Sequence, residues 1–165
     1  MRYVLQLFIV VFLLGNTGIA NAIDSGSRES LRGMFGLGLV IEEVSPDVSA
    51  DGLSQEAIRS AVEQALRTKG IRLLTERTRS GSSPYLYVSV NTLKEELGLY
   101  AYSVTVDLKQ FVGLLSMKNK KTWGTTWSTS VIGMVRQENV SQIIADALEP
   151  LIKDFVDDFL AVNPR

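Results

Sequence analysis

The 165-residue chain carries 17 Lys plus Arg against 18 Asp plus Glu, and it contains neither cysteine nor histidine. This near-neutral balance excludes a protein that grips nucleic acid by neutralising phosphates, and the missing cysteine excludes both disulfides and an acylated-cysteine anchor. Without histidine there is no Ser-His or Cys-His nucleophile, and the commonest nitrogen ligand for transition metals is gone.

The chain opens with Met1-Arg2, an apolar run over residues 5–14, and Ala20-Asn21-Ala22. A positive start, a short apolar core and small residues at a cut make a secretory signal peptide, so residues 1–22 are expected to leave after Ala22 and the product to be periplasmic or secreted. A membrane span needs about 20 apolar residues, and Gly15, Asn16 and Thr17 interrupt this run well short of that. An uncut leader serving as an anchor is the alternative. The remainder suffices for one core and not for two, so residues 23–32 read as a flexible tether and 33–165 as a single α/β domain.

Residues 35–44 are rich in Leu, Val and Ile and predict a buried strand that Ser45-Pro46-Asp47 stops. A helix follows. Ser54 caps it, Leu53 and Ile58 form a hydrophobic staple, and Ile58, Ala61, Val62, Ala65 and Leu66 make its inner stripe. Gly70 supplies its left-handed C-terminal cap, with Ile71 as the apolar partner. Residues 71–75 predict a second strand, parallel to the first through a right-handed crossover.

A polar loop then leads to Pro84 and an alternating strand with Leu86, Val88 and Val90 on one face and Tyr85, Tyr87, Ser89 and Asn91 on the other. After the turn at residues 94–98, a fourth strand sets Tyr100, Tyr102, Val104, Val106 and Leu108 against Ser103, Thr105, Asp107 and Lys109. It runs on to a reversal near residues 118–121 and returns over 122–131 as a long hairpin. By parity Trp123, Thr125, Trp127 and Thr129 share a face, which reads as core for both tryptophans, with a ligand platform as the other use. Asn139 and Gln142 resemble a capping box for a closing helix, kinked by Pro150 and ended by Asn163-Pro164. The sum is an α+β fold, β-α-β-β-β-β-α, a two-layer α/β sandwich with a mixed sheet and both helices on one face.

No catalytic, metal-binding or cofactor-binding set emerges, so a non-enzyme is expected. Glu42 and Glu43 alternate across a strand and cannot converge, while Glu95-Glu96 and Asp157-Asp158 read as a solvated turn and a solvated helix face. Gly33, Gly36 and Gly38 lack the dinucleotide spacing and read as backbone fit. Asp47 and Asp51-Gly52 lack the alternating oxygens of a calcium loop and read as a turn ahead of the helix, and the sequon at Asn139 reads as a helix start.

Two surfaces remain. The open sheet face gathers Tyr85, Tyr87, Ser89, Asn91, Ser103, Thr105, Asp107 and Lys109, with Thr126 and Ser128, as hydroxyls dotted with aromatics. That composition suits a partner protein or a glycan, and it equally suits a plain hydrated face. The hairpin tip at residues 112–121 sets Leu114, Leu115 and Met117 beside Lys118, Lys120 and Lys121, a pattern for an anionic membrane surface or for ordinary edge-protecting lysines.

Over residues 31–164 the element order, the leader and the long closing helix resemble small bacterial periplasmic α/β envelope domains, such as the LPS-assembly lipoprotein partner of the outer-membrane translocon. The resemblance implies a non-enzymatic assembly or binding role, with an envelope protein or glycolipid on the open face and hairpin tip. The chain departs from that type in having no cysteine after the leader to carry an acyl chain. A secreted glycan hydrolase working with carboxylates alone is the alternative, and it requires two acids about 5–10 Å apart.

Overall fold

A computed structural model describes residues 25–75, 77–78 and 80–164; the expected leader and its cleavage site lie outside them. Eight elements follow in order: α1 (Ser25–Glu29), β1 (Gly38–Ile41), α2 (Pro46–Ala50), α3 (Gln55–Thr68), β2 (Tyr85–Lys94), β3 (Leu99–Gly113), β4 (Lys121–Arg136) and α4 (Val140–Val162), with one 3-10 turn at Gln137–Asn139. The sheet order is β1-β2-β3-β4, with β1 parallel to β2 and the rest antiparallel. The fold is the expected α+β sandwich, α3 and α4 lying together under one face of a mixed sheet. Among the described residues no helix is long and apolar enough to cross a membrane.

The sheet has four strands where five were expected. Residues 71–75 do not form a strand: Leu73 makes one isolated parallel bridge to Leu37. Leu37 N–H donates to the Arg72 carbonyl and Leu74 N–H to the Leu37 carbonyl, and among the described residues the pairing goes no further. Gly36 is what admits even this contact. A Cβ on it would lie 2.9 Å from the Arg72 carbonyl oxygen, a distance no side chain accepts.

α3 forms as its sequence signals dictate. Ser54 Oγ accepts from Ala57 N–H at 3.0 Å, and Leu53 and Ile58 are both buried. At the other end Gly70 adopts φ 67°, Gly70 N–H donates to the Arg67 carbonyl and Ile71 N–H to the Leu66 carbonyl. Its buried stripe is narrower than expected: Ile58, Val62 and Leu66 are covered, while Ala61 is exposed. α4 differs at its start, where Asn139 makes no side-chain cap and Gln142 instead donates to Asp146, because a 3-10 turn already tightens the entry.

The two inner faces meet in one apolar core. Leu86, Val88, Val90, Tyr100, Val104, Val106, Leu108 and Trp127 come from the sheet, and Ile144, Leu148, Leu151, Ile152, Phe155 and Phe159 from α4. Residues 23–32, expected as a tether, are tied down where they are described. α1 is helical, Arg28 pairs with Asp158, and Leu31 is fully buried. Asn163 holds this segment to the end of α4, accepting from Gly33 N–H at 2.7 Å and donating to the Leu31 carbonyl at 2.9 Å.

Asp51, expected in a simple turn, joins four elements of the fold. It accepts from Lys94 Nζ at 2.8 Å, from the Tyr100 hydroxyl and from Gln137 Nε2 at 2.8 Å. These donors, Lys94 foremost, hold its carboxyl below the usual carboxylate range. A depressed folded value means that ionised Asp51 stabilises the fold fully above the unfolded value of about 3.9, and the contribution is lost as pH falls through the lower folded value. The melting temperature of wild type is therefore expected to drop between pH 5 and pH 2 more steeply than that of Asp51→Asn. Parallel acid limbs in a thermal-melt series would contradict this role.

Candidate functional site

The open face is ordered in rows by strand register. From one end these run Leu93–Ala101–Met134, Asn91–Ser103–Ile132, Ser89–Thr105–Ser130, Tyr87–Asp107–Ser128, Tyr85–Lys109–Thr125 and Phe111–Trp123. The residues expected on this face are therefore all brought to it except Thr126, but they do not form one uniform hydroxyl surface. Ser89 is buried, Asn91 is exposed, and Ser103 and Thr105 are half-buried between strands. An apolar end, with Leu93 73%, Ile132 81% and Met134 71% exposed, was not anticipated.

A β-bulge decides what occupies the other end. Leu108 pairs with Trp127 and Lys109 with Thr125, so Thr126 is an extra residue in β4. Parity reverses across it. Trp127 points into the core, and Trp123 points to the open face, which corrects the expectation that the two share a side. Trp123 is 39% exposed and packs edge-on against Tyr85, ring centroids 5.0 Å apart, and against Phe111 at 5.6 Å. The bulge has a local cost, since the buried Thr126 hydroxyl has no hydrogen-bond partner among the described residues.

Tyr85, Tyr87 and Trp123 line a cleft of about 280 Å³, closed by Val40 and by Ser80, Gly81 and Ser83 of the loop before β2. Beside it Lys109 Nζ donates to Asp107 at 2.9 Å and to Thr125 Oγ1 at 2.6 Å, and lies 5.8 Å from the centre of the Tyr87 ring. Ser128 Oγ donates to the second Asp107 oxygen at 2.6 Å. Burial, and then the neighbouring Glu42 carboxylate, push the Tyr87 phenol above its ordinary value, so it remains a neutral donor at physiological pH.

The hairpin tip continues from the aromatic row. Gly113 pairs with Lys121, and the reversal closes through Leu114 N–H to the Lys120 carbonyl, with Asn119 at φ 65°. Lys118, Lys120 and Lys121 are exposed there, as are Leu115 and Met117. Aromatic cleft, lysines and apolar tip thus lie in sequence along one end of the β3–β4 hairpin.

Two features escaped the sequence. Asp158, read as part of a solvated helix face, is 5% exposed and accepts from Arg28 Nε and from Trp127 Nε1, the latter at 2.9 Å. A mainly apolar groove of about 700 Å³ runs between α3 and α4, past Ala57, Ala61, Leu148 and Ile152. The exposed alanines were the available signal for it: small residues leave room where a stripe residue would fill. Among the described residues no cluster of three acids stands ready for a metal ion.

No protein-family model matches the chain, and no curated protein matches it. Among solved structures, the 2.35 Å crystal structure of a minor lipoprotein from Acinetobacter baumannii is similar at 12% identity and a TM-score of 0.35, over 76% of this chain and 87% of that chain.

Proposed function

We propose that this chain is an exported, non-enzymatic module of the bacterial envelope that holds an anionic glycolipid at the cleft end of its open sheet face. The observation that carries the reading is the bulge at Thr126, which turns Trp123 out of the core and against Tyr85. Bulges re-aim side chains at functional sites, and an exposed aromatic pair beside hydroxyls suits the apolar face and polar rim of a sugar ring. The cleft is near the lower end of the range for ligand sites, about 300–1,000 Å³, which fits one ring and not a large cofactor. Lys118, Lys120 and Lys121 supply positive charge for a phosphorylated head group, and Leu115 and Met117 supply apolar contact for its acyl region. The expected leader supports an envelope address, where such a ligand occurs.

Calorimetric titration with purified lipopolysaccharide and with its lipid-free core oligosaccharide tests the proposal. Both are expected to bind saturably, the intact glycolipid more tightly and with the greater salt dependence. Trp123→Ala is expected to weaken both about tenfold, the equivalent of about 1.4 kcal/mol, with little change in melting temperature. No saturable binding, or binding indifferent to Trp123, would reject the site. Release of new reducing ends from the oligosaccharide would move the assignment to a carboxylate-dependent hydrolase.

A further inference from the structure

The two edges of the sheet are treated differently. The outer side of β1 is covered: just before it Leu37 exchanges backbone hydrogen bonds with Arg72 at 3.0 Å and Leu74 at 2.8 Å, and from α3 Gln55 Nε2 donates to the Ile41 carbonyl at 2.7 Å and Arg59 to the Leu39 carbonyl at 3.5 Å. β4 is the other edge, and only its first half is approached, by Ser30 Oγ donating to the Thr126 carbonyl at 3.3 Å. Along residues 128–135, among the described residues, no hydrogen bond reaches the backbone from the side away from β3. Proteins ordinarily protect such an edge with a lysine, a proline or a covering segment. Residues 122–135 contain no charged residue and no proline, and Ile132 and Met134 stand out from the strand into solvent.

We infer that residues 128–135 of β4 pair antiparallel with the same residues of a second copy, about a two-fold axis perpendicular to the sheet. Two four-stranded sheets then become one continuous sheet. A second copy fits for three reasons. Antiparallel self-pairing sets a strand against its own charges, and this run has none, so the like-charge penalty is absent. Its Ser, Thr, Val and Ile side chains make favourable cross-strand pairs with their own kind. With one free edge per chain the contact is self-complementary and closes at two copies instead of growing into a fibre.

The same axis keeps both open faces on one side. If the glycolipid reading holds, two clefts then face one surface and bind it with avidity. The pairing itself does not depend on that reading.

The absence of native cysteine makes the test direct. In the full chain, exported and purified, single cysteines replace the exposed, outward-facing Ser128, Ser130, Ile132 and Met134 in turn and are oxidised. Disulfides need Cα atoms about 4.4–6.8 Å apart, so covalent dimers are expected in high yield at one or two positions at the axis, falling away on either side. Ser130→Lys combined with Ile132→Lys alters only outward-facing, exposed positions. It is expected to raise the dimer dissociation constant more than about tenfold, halving the mass seen by light scattering and leaving the melting of the monomer intact. A wild-type protein that is monomeric at every concentration, cross-links spread evenly along the strand, or a lysine variant that stays dimeric would each overturn the inference. Loss of glycolipid binding with the dimer retained would count against the proposed ligand alone.

Discussion

Trp127→Ala is expected to lower folding stability by about 4 kcal/mol, the range of a large aromatic removed from a packed core. Trp127 is 1% exposed, lies edge-on to Phe155 at 5.2 Å between ring centroids, and donates its indole N–H to Asp158. Truncation would open a cavity between β4 and α4 and orphan part of a buried carboxylate's hydrogen bonding. Trp123→Ala, four positions away on the same strand, is expected to cost no more than about 1 kcal/mol, because that ring is already partly in water. Urea unfolding of both variants measures the contrast. Equal losses would mean that the bulge does not separate the two residues, and the functional reading of Trp123 would fall with it.

Asp158→Ala is the second large effect, expected at about 2–3 kcal/mol. Two hydrogen bonds to a charged group are lost, each contributing about 1.5–3 kcal/mol. The sum is discounted because the Arg28 side chain is 49% exposed and regains water on release. At this chain length the loss corresponds to a fall of about 8 °C in melting temperature. Asp158→Asn retains an oxygen for the Trp127 indole but sets its amide N–H against Arg28 Nε, losing the charge and that one hydrogen bond, so about 1–2 kcal/mol is expected.

The consequence for the chain ends is specific. α1 is held to α4 through Arg28, so Asp158→Ala should also open residues 25–32 to protease while the rest of the fold resists. The variant is expected to combine with Trp127→Phe less than additively, since both act on one contact. Full additivity, with no new cleavage in residues 25–32, would show that Asp158 holds neither partner.

Where one residue's neighbours in the chain were enough to set its conformation, the sequence was a sufficient guide. α3 is the clearest case: Ser54, the Leu53–Ile58 staple and Gly70 act within a few residues of the turns they control. Alternation likewise placed Leu86, Val88 and Val90 below the sheet and Tyr85 and Tyr87 above it. The same alternation failed at Trp123, because a single extra residue reverses every later side chain and nothing in Thr125-Thr126 announces it. The strand expected at residues 71–75 failed for a related reason. Its apolar pattern is real, with Ile71 and Leu74 buried, but a strand also needs a neighbour for its backbone, and among the described residues its pairing ends at one bridge.

The sequence by itself determined the composition limits, the helices α3 and α4, the strands β1 to β4, the two-layer class and the set of residues offered to the open face. These follow from local sterics, capping and periodicity, which act over a few residues and are written in order along the chain. Only the tertiary structure decided that Asp158 and Arg28, 130 positions apart, meet inside the molecule. It alone also decided that Trp123 joins Tyr85 and Phe111, and that β4 remains the open edge. Those outcomes depend on register and on which strands become neighbours. Both are set by the whole core packing at once, so no local stretch of residues encodes them.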